Sequence, residues 1–139
     1  MSDIAYTIFY ADDDIDDQQI FKEIISEIDR KDVVLTLNNG NEVMNILKAG
    51  TYIPHLIFLD INMPVKNGFD VLKEIKADED LRSISIIILS TSRNENSILQ
   101  AKELGAALYI AKPSSYYWYK KILRSVLSMD WFIVRYLLR

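Results

Sequence analysis

The stretch Leu56–Pro64, LIFLDINMP, decides the reading of this chain. An apolar run drives into one acid, Asp60, and a proline turn follows. The run is short and bounded by Pro54 and Pro64, so it predicts a buried strand of an α/β sheet. Burying a carboxylate inside such a run is costly. Asp60 is therefore expected at the C-terminal end of the strand, the side on which open α/β sheets bind ligands. There it can serve as metal ligand, nucleophile or base. Alternatively, it only caps the turn that follows.

Working outward, apolar strand-forming runs recur along the chain. Ile4–Ala11 (IAYTIFYA) predicts a first strand, and Val33–Leu37 (VVLTL) a second. Tyr52–Ile61 contains the third, Ile84–Leu89 (ISIIIL) is the fourth, and Ala107–Ala111 (ALYIA) is the fifth. Between them apolar residues return at helical spacing. Ile20, Phe21, Ile24, Ile25 and Ile28 mark a helix to about Arg30. Val43, Ile46 and Leu47 mark a second, ending near Gly50. Phe69, Val71, Leu72 and Ile75 mark a third after the turn signal VKNG, to about Ala77. Ile98, Leu99, Ala101 and Leu104 mark a fourth, stopped by Gly105. A last helix starts near Ser115, and no Gly or Pro prevents it from continuing to Arg139. Strict β-α alternation with nearly continuous apolar strands means a parallel sheet with helices on both faces.

Composition narrows the function. A chain of 139 residues, half of them hydrophobic, fits one folded domain. A net charge of −4 disfavours direct nucleic-acid binding. The absence of cysteine removes disulfides, thiolate metal sites and Cys nucleophiles. No basic leader and no membrane-length apolar run is visible, so a cytoplasmic protein with no membrane association is the expectation.

In a parallel sheet all strand C-termini share one side. The first strand delivers Asp12 and Asp13 there, the third Asp60, the fourth Ser90 and the fifth Lys112. Two or three carboxylates, a hydroxyl and an ammonium should converge on one crevice. Clustered carboxylates repel unless a cation joins them, and oxygen-only donors favour Mg²⁺. An ammonium and a hydroxyl opposite such an ion can hold the oxygens of a phosphoryl group. Asp60 is then the natural nucleophile. Asp14, Asp16 and Asp17 fit the cap and first turn of the first helix, where negative charge favours the helix dipole. His55 falls at the opposite end of its strand and reads as structural.

These residues resemble a known family. The acid pair in YADDD, LDINMP followed by NG, the hydroxyl in IIILSTS and the Lys-Pro pair after the fifth strand occur in the order of a response-regulator receiver domain, the CheY-like phosphoacceptor module of two-component signalling. The resemblance covers roughly Tyr6 to Leu127. It implies a flavodoxin-like fold with strand order 2-1-3-4-5. Asp60 matches the phosphorylated aspartate. Asp12 and Asp13 match the metal-binding acid pair, and Asn62 the residue whose carbonyl completes the metal shell. Ser90 and Tyr109 match the switch pair. Lys112 matches the invariant lysine, with Pro113 following through a cis bond. The implied partners are a sensor histidine kinase or a His-containing phosphotransfer protein, and a downstream protein target. No enzyme activity is implied beyond Mg²⁺-assisted self-phosphorylation and self-dephosphorylation.

The core is expected over about residues 4–128, as a stand-alone receiver. The apolar extension Met129–Arg139 either folds back on the protein or binds a partner or second copy. A homodimer could use that extension, or the face of the fourth helix, fifth strand and fifth helix. Two rival functions stay open: a receiver-like interaction module that never takes phosphate, and a Mg²⁺-dependent phosphatase with an aspartyl nucleophile.

Overall fold

The computed structural model describes residues 5–28 and 31–131. Five strands alternate with five helices: β1 (Thr7–Ala11), α1 (Ile15–Glu27), β2 (Val33–Leu37), α2 (Gly40–Ala49), β3 (Leu56–Leu59), α3 (Gly68–Ala77), β4 (Ser85–Ser90), α4 (Glu95–Glu103), β5 (Leu108–Ala111) and α5 (Tyr116–Leu127). All neighbouring strands pair in parallel, in the order β2-β1-β3-β4-β5. This is the doubly wound, flavodoxin-like sheet.

Strand parity divides the apolar runs between two cores. Phe9, Ala11, Ile57, Leu59, Ile86 and Ile88 face one side, with Val43, Met44 and Leu47 of α2, Val71, Leu72 and Ile75 of α3, and Ala101 of α4. Ile8, Tyr10, Leu56, Phe58, Ile87 and Leu89 face the other, with Phe21 and Ile24 of α1 and Leu123, Val126 and Leu127 of α5. Right-handed crossovers explain the split. The step from β1 to β2 runs one way across the sheet, and the steps to β3, β4 and β5 run the other. So α1 lies on one face, α2, α3 and α4 lie on the opposite one, and α5 returns beside α1.

Several expected elements differ at their ends. The first strand begins at Thr7 rather than Ile4, which lies outside the described residues, and the first helix ends at Glu27 rather than near Arg30, which also lies outside them. The third strand is Leu56–Leu59, narrower than Tyr52–Ile61, although His55 and Asp60 extend its pairing by donating to Thr7 and Ala11 carbonyls at 2.9 Å. Polar N-caps set the helix starts: Asp14, Asn39, Asn67, Asn94 and Ser115 each accept from backbone N–H groups in the first turn. Asp16 and Asp17 stand in the first turn of α1. His55 accepts the Thr7 N–H through Nδ1 at 2.9 Å and packs edge-on to Tyr6.

The last helix does not continue. It ends at Leu127 with Ser128 as cap, and the chain after it returns to Tyr6, the residue before β1. The Tyr6 hydroxyl donates to the Met129 carbonyl at 2.8 Å and accepts from the Trp131 N–H at 3.1 Å. The Trp131 indole N–H donates to the Val126 carbonyl at 2.9 Å, and its ring is buried. The described start of the extension is thus folded onto the protein's own surface. Its remainder, 132–139, lies outside the described residues. Of the four consecutive aromatics, Tyr119 is buried, whereas Tyr116, Tyr117 and Trp118 are exposed, with Lys121 over the Tyr117 and Trp118 rings.

The loop after β3 carries the tightest backbone contacts. A Cβ on Gly68 would stand 2.3 Å from the Asp60 carbonyl oxygen, and Gly68 donates to the Ile61 carbonyl at 3.0 Å. The NG of VKNG is thus a helix cap followed by a glycine that lets α3 start against Asp60. Within the turn, Val65 has φ 69°. A β-branched residue is strained there, and its side chain is exposed.

Two outcomes follow. Gly68→Ala should lower the urea midpoint by an amount equivalent to roughly 2–4 kcal/mol, because backbone must shift to admit the methyl group. Val65→Asn should raise it by about 0.5–1 kcal/mol, because Asn tolerates the left-handed region and no packed contact is lost. Equilibrium urea unfolding followed by far-UV circular dichroism checks both.

Candidate functional site

The C-terminal edge of the sheet gathers the charged residues. Asp12 and Asp13 follow β1 directly, and Asp60 follows β3. The parallel register sets Ala11 level with Leu59, so the acids emerge side by side. Carboxylate oxygens of Asp12, Asp13 and Asp60 lie within 4.8 Å of one another. Asp12 is buried, Asp60 half-buried and Asp13 exposed. Asp14, the next acid, turns away to cap α1.

Asp12 is held from several directions. Its Oδ2 accepts from Lys112 Nζ at 2.6 Å and from the Tyr10 hydroxyl at 2.8 Å. Its Oδ1 accepts from the Asp14 N–H at 3.0 Å. The Gln18 side-chain amide donates to its carbonyl at 2.6 Å and to Asn38 Oδ1 at 2.8 Å. Lys112 also meets Asp17 Oδ2 at 3.1 Å. It forms no ion pair with Asp60 within 4 Å.

The electrostatics follow from burial and charge. Burial pushes the Asp60 carboxyl up to about 6. The Lys112 ammonium opposes that rise, Asp12 adds to it, and the backbone N–H groups of Asn62 and Ile61 offset part of it. Burial alone would lower the Lys112 ammonium. The hydrogen bond and charge of Asp12, with the charge of Asp60 and the bond to Asp17, outweigh burial and raise it. Lys112 therefore stays charged. Burial, with the neighbouring Tyr119 phenol and the charge of Asp12, drives the Tyr10 hydroxyl upward too, so it remains a proton donor to Asp12.

Ser90 ends β4 with its side chain buried, and its Oγ accepts the Ser92 N–H at 3.2 Å. Tyr109 is half-buried on β5, and its hydroxyl donates to the Ser92 carbonyl at 2.7 Å. Both residues therefore hold the same loop. The side chain of Asn62 is exposed. No cis peptide bond occurs among the described residues, so the expected cis bond before Pro113 is corrected to trans. The trans form is the intrinsic preference of such bonds, by about 0.5–1 kcal/mol, and Lys112 reaches Asp12 with it in place.

Sequence reasoning missed Tyr10, Gln18 and the contact of Asp17 with Lys112. Tyr10 had a usable signal: residues two apart on a strand share a face, so its side chain lies beside that of Asp12. Gln18 and Asp17 had none, because their contacts depend on how α1 packs against the sheet.

An all-oxygen cluster in which one carboxyl is raised to about 6 is short of positive charge. The donor set thus suits a hard divalent cation, which Asp12, Asp13 and Asp60 could hold.

Comparison with known proteins agrees with this geometry. Residues 8–124 match the family described as "Response regulator receiver domain". The chain is 35% identical over 112 residues to Response regulator Rcp1 of Synechocystis sp. (strain ATCC 27184 / PCC 6803 / Kazusa), covering 76% of this chain and 75% of that protein. It is 30% identical over 101 residues to Two-component response regulator ORR3 of Oryza sativa subsp. indica, covering 71% and 76%. Among solved structures, the phosphorylated cyanobacterial phytochrome response regulator RcpA superposes with a TM-score of 0.84 at 32% identity, over 91% of this chain and 97% of that one. The Mn²⁺-bound form of Rcp1 superposes with a TM-score of 0.82 at 28% identity, over 89% and 93%. With five parallel strands delivering an acid cluster and a lysine to one edge, the chain belongs to the response-regulator receiver family of two-component signalling.

Proposed function

We propose that the chain is a phosphoacceptor whose Asp60 takes a phosphoryl group, with Mg²⁺, from a sensor histidine kinase or a His-containing phosphotransfer protein. One observation carries this reading: the Asp12, Asp13 and Asp60 carboxylates lie within 4.8 Å of one another. Asp12, Asp13 and Asp60 would hold the ion, with the Asn62 backbone carbonyl completing its shell. When bound, Mg²⁺ supplies positive charge to the non-bridging oxygens of the transferring group.

The chain's own residues do the rest. An Asp60 carboxylate oxygen attacks phosphorus. The new O–P bond forms as the donor's P–N bond breaks, and the electron pair of that bond stays on the imidazole nitrogen. Lys112 holds a second phosphoryl oxygen. The Ser90 Oγ accepts from Ser92 and keeps its own proton to donate to a third. Because Tyr109 binds the same loop through the Ser92 carbonyl, a shift of Ser90 would be felt at the Tyr109 ring. The output is a change in protein contacts, with a downstream protein or a second copy of the chain, on the face of α4, β5 and α5. Ile98 and Leu99 of α4 and Tyr117 and Trp118 of α5 are exposed apolar side chains on these helices. Among the described residues no helix is long and apolar enough to cross a membrane, which fits action in the cytoplasm.

Incubation with Mg²⁺ and a small-molecule phosphodonor should add one phosphoryl group to the intact mass, and none to Asp60→Ala. Absence of a gain on the native chain, together with no binding of a beryllofluoride mimic, would instead support an interaction module that takes no phosphate. Release of phosphate from external esters would support the phosphatase reading.

The raised Asp60 carboxyl also makes stability depend on pH. Its folded value, about 6, lies above the ordinary 3.8. The folded state therefore holds the proton more tightly than the unfolded chain. The stability that this gives is complete below about pH 4 and is lost as pH rises through about 6. A shift of that size corresponds to at most about 3 kcal/mol, and solvent screening of this half-buried group reduces it to about 1–2 kcal/mol. Without divalent cations, Asp60→Asn should abolish this part of the pH dependence and raise the melting temperature at pH 7. Adding Mg²⁺ to the native chain should recover most of the same gain. Thermal melts between pH 4 and pH 8 check both outcomes.

A further inference from the structure

Lys112 is shared between two carboxylates that differ in how firmly they are held. Asp12 is buried and fixed by the Tyr10 hydroxyl and the Asp14 N–H as well as by Lys112. Removing the ammonium from it would strand a charge away from water. Asp17 is different. It stands in the first turn of α1, its side chain is 36% exposed, and its contact with Lys112 is the longer one, 3.1 Å against 2.6 Å. Water can replace Lys112 at Asp17, and a pair with one partner open to solvent is weaker than a fully buried one. Asp17 and Lys112 also line, with Thr91, Pro113 and Tyr119, a cavity of about 270 Å³. The lysine thus borders an open space on its α1 and α5 side. It makes no ion pair with Asp60 in this arrangement, although the Asp60 charge acts on it.

We propose that Asp17 is a positioning residue that parks Lys112 on α1 and opposes its engagement with a phosphoryl group on Asp60. The inference rests on the phosphoacceptor reading above. Asp12 stays with Lys112 throughout as a pivot. The ammonium moves toward Asp60 by lengthening its contact with Asp17, and a phosphoryl oxygen takes that place. Asp17 thereby weakens the site's hold on a phosphoryl group and sets how much of the phosphorylated form has Lys112 engaged.

A thermodynamic test avoids any dependence on donor kinetics. Beryllofluoride binding to the full chain with Mg²⁺ is measured by fluorine NMR for the native chain, Asp17→Asn, Asp17→Glu and Asp16→Asn. Asp16 lies in the same turn and outside the ion pair with Lys112, so its neutralisation makes the same change in net charge without removing that pair. Asp17→Asn should bind about three- to five-fold more tightly than the native chain, the worth of a partly exposed ion pair. Asp17→Glu should return toward native affinity, and Asp16→Asn should stay near it. Equal effects of Asp17→Asn and Asp16→Asn, or weaker binding by Asp17→Asn, would overturn the parking role and leave the phosphoacceptor reading intact. No binding by the native chain would instead overturn that reading, and the parking role with it. Far-UV circular dichroism confirms that each variant is folded.

Discussion

A carboxylate taken out of water must be paired and hydrogen-bonded, or its burial costs several kcal/mol. Asp12 is that carboxylate here. Its partners come from places far apart in the chain: Tyr10 two residues before it, the Asp14 N–H at the cap of α1, and Lys112 a hundred residues later. β3 and β4 lie between β1 and β5 in the sheet. The Lys112 side chain therefore ties β5 to β1 across the crest of two other strands. This contact forms only when all of the inner strands are in register. The ion pair thus joins the correctness of the whole sheet to the state of the site.

Asp60 depends on a second constraint, close approach of backbone. α3 can start where it does because Gly68 lies against the Asp60 carbonyl with no room for a side chain. The turn that brings the chain there includes a strained valine, Val65. Asp60 is then half-buried, facing Asp12 and Lys112, with backbone N–H groups on its own loop. Its charge is incompletely matched by the protein. A resting site that is short of positive charge is what a divalent cation and a phosphoryl group can complete, and a fully neutralised one would have less to gain from either.

Much of this was legible from local pattern. Apolar runs of strand length, separated by helical periodicity, define the β-α alternation, and the parallel connection places all strand C-termini on one side. That is why Asp12, Asp13, Asp60, Ser90 and Lys112 could be named as neighbours from their positions alone. Element ends were less legible. Caps, rather than apolar residues, set where each helix starts, and α5 ends because Tyr6 and the Trp131 indole capture the returning backbone. No residue near Ser128 is a helix breaker, so the local pattern carried no stop signal.

The sequence by itself determined the topology class and the chemical groups that collect at one edge, because both follow from strand parity, helical spacing and the shared direction of parallel strands. Only the tertiary structure decided which groups touch. Lys112 lies between Asp12 and Asp17 and not on Asp60, Tyr10 donates to Asp12, and the chain after α5 returns to Tyr6. These contacts depend on how helices sit on the sheet and how far a side chain reaches across it. Periodicity records which face a residue occupies, and it carries no distance between faces, strands or turns that meet only after folding.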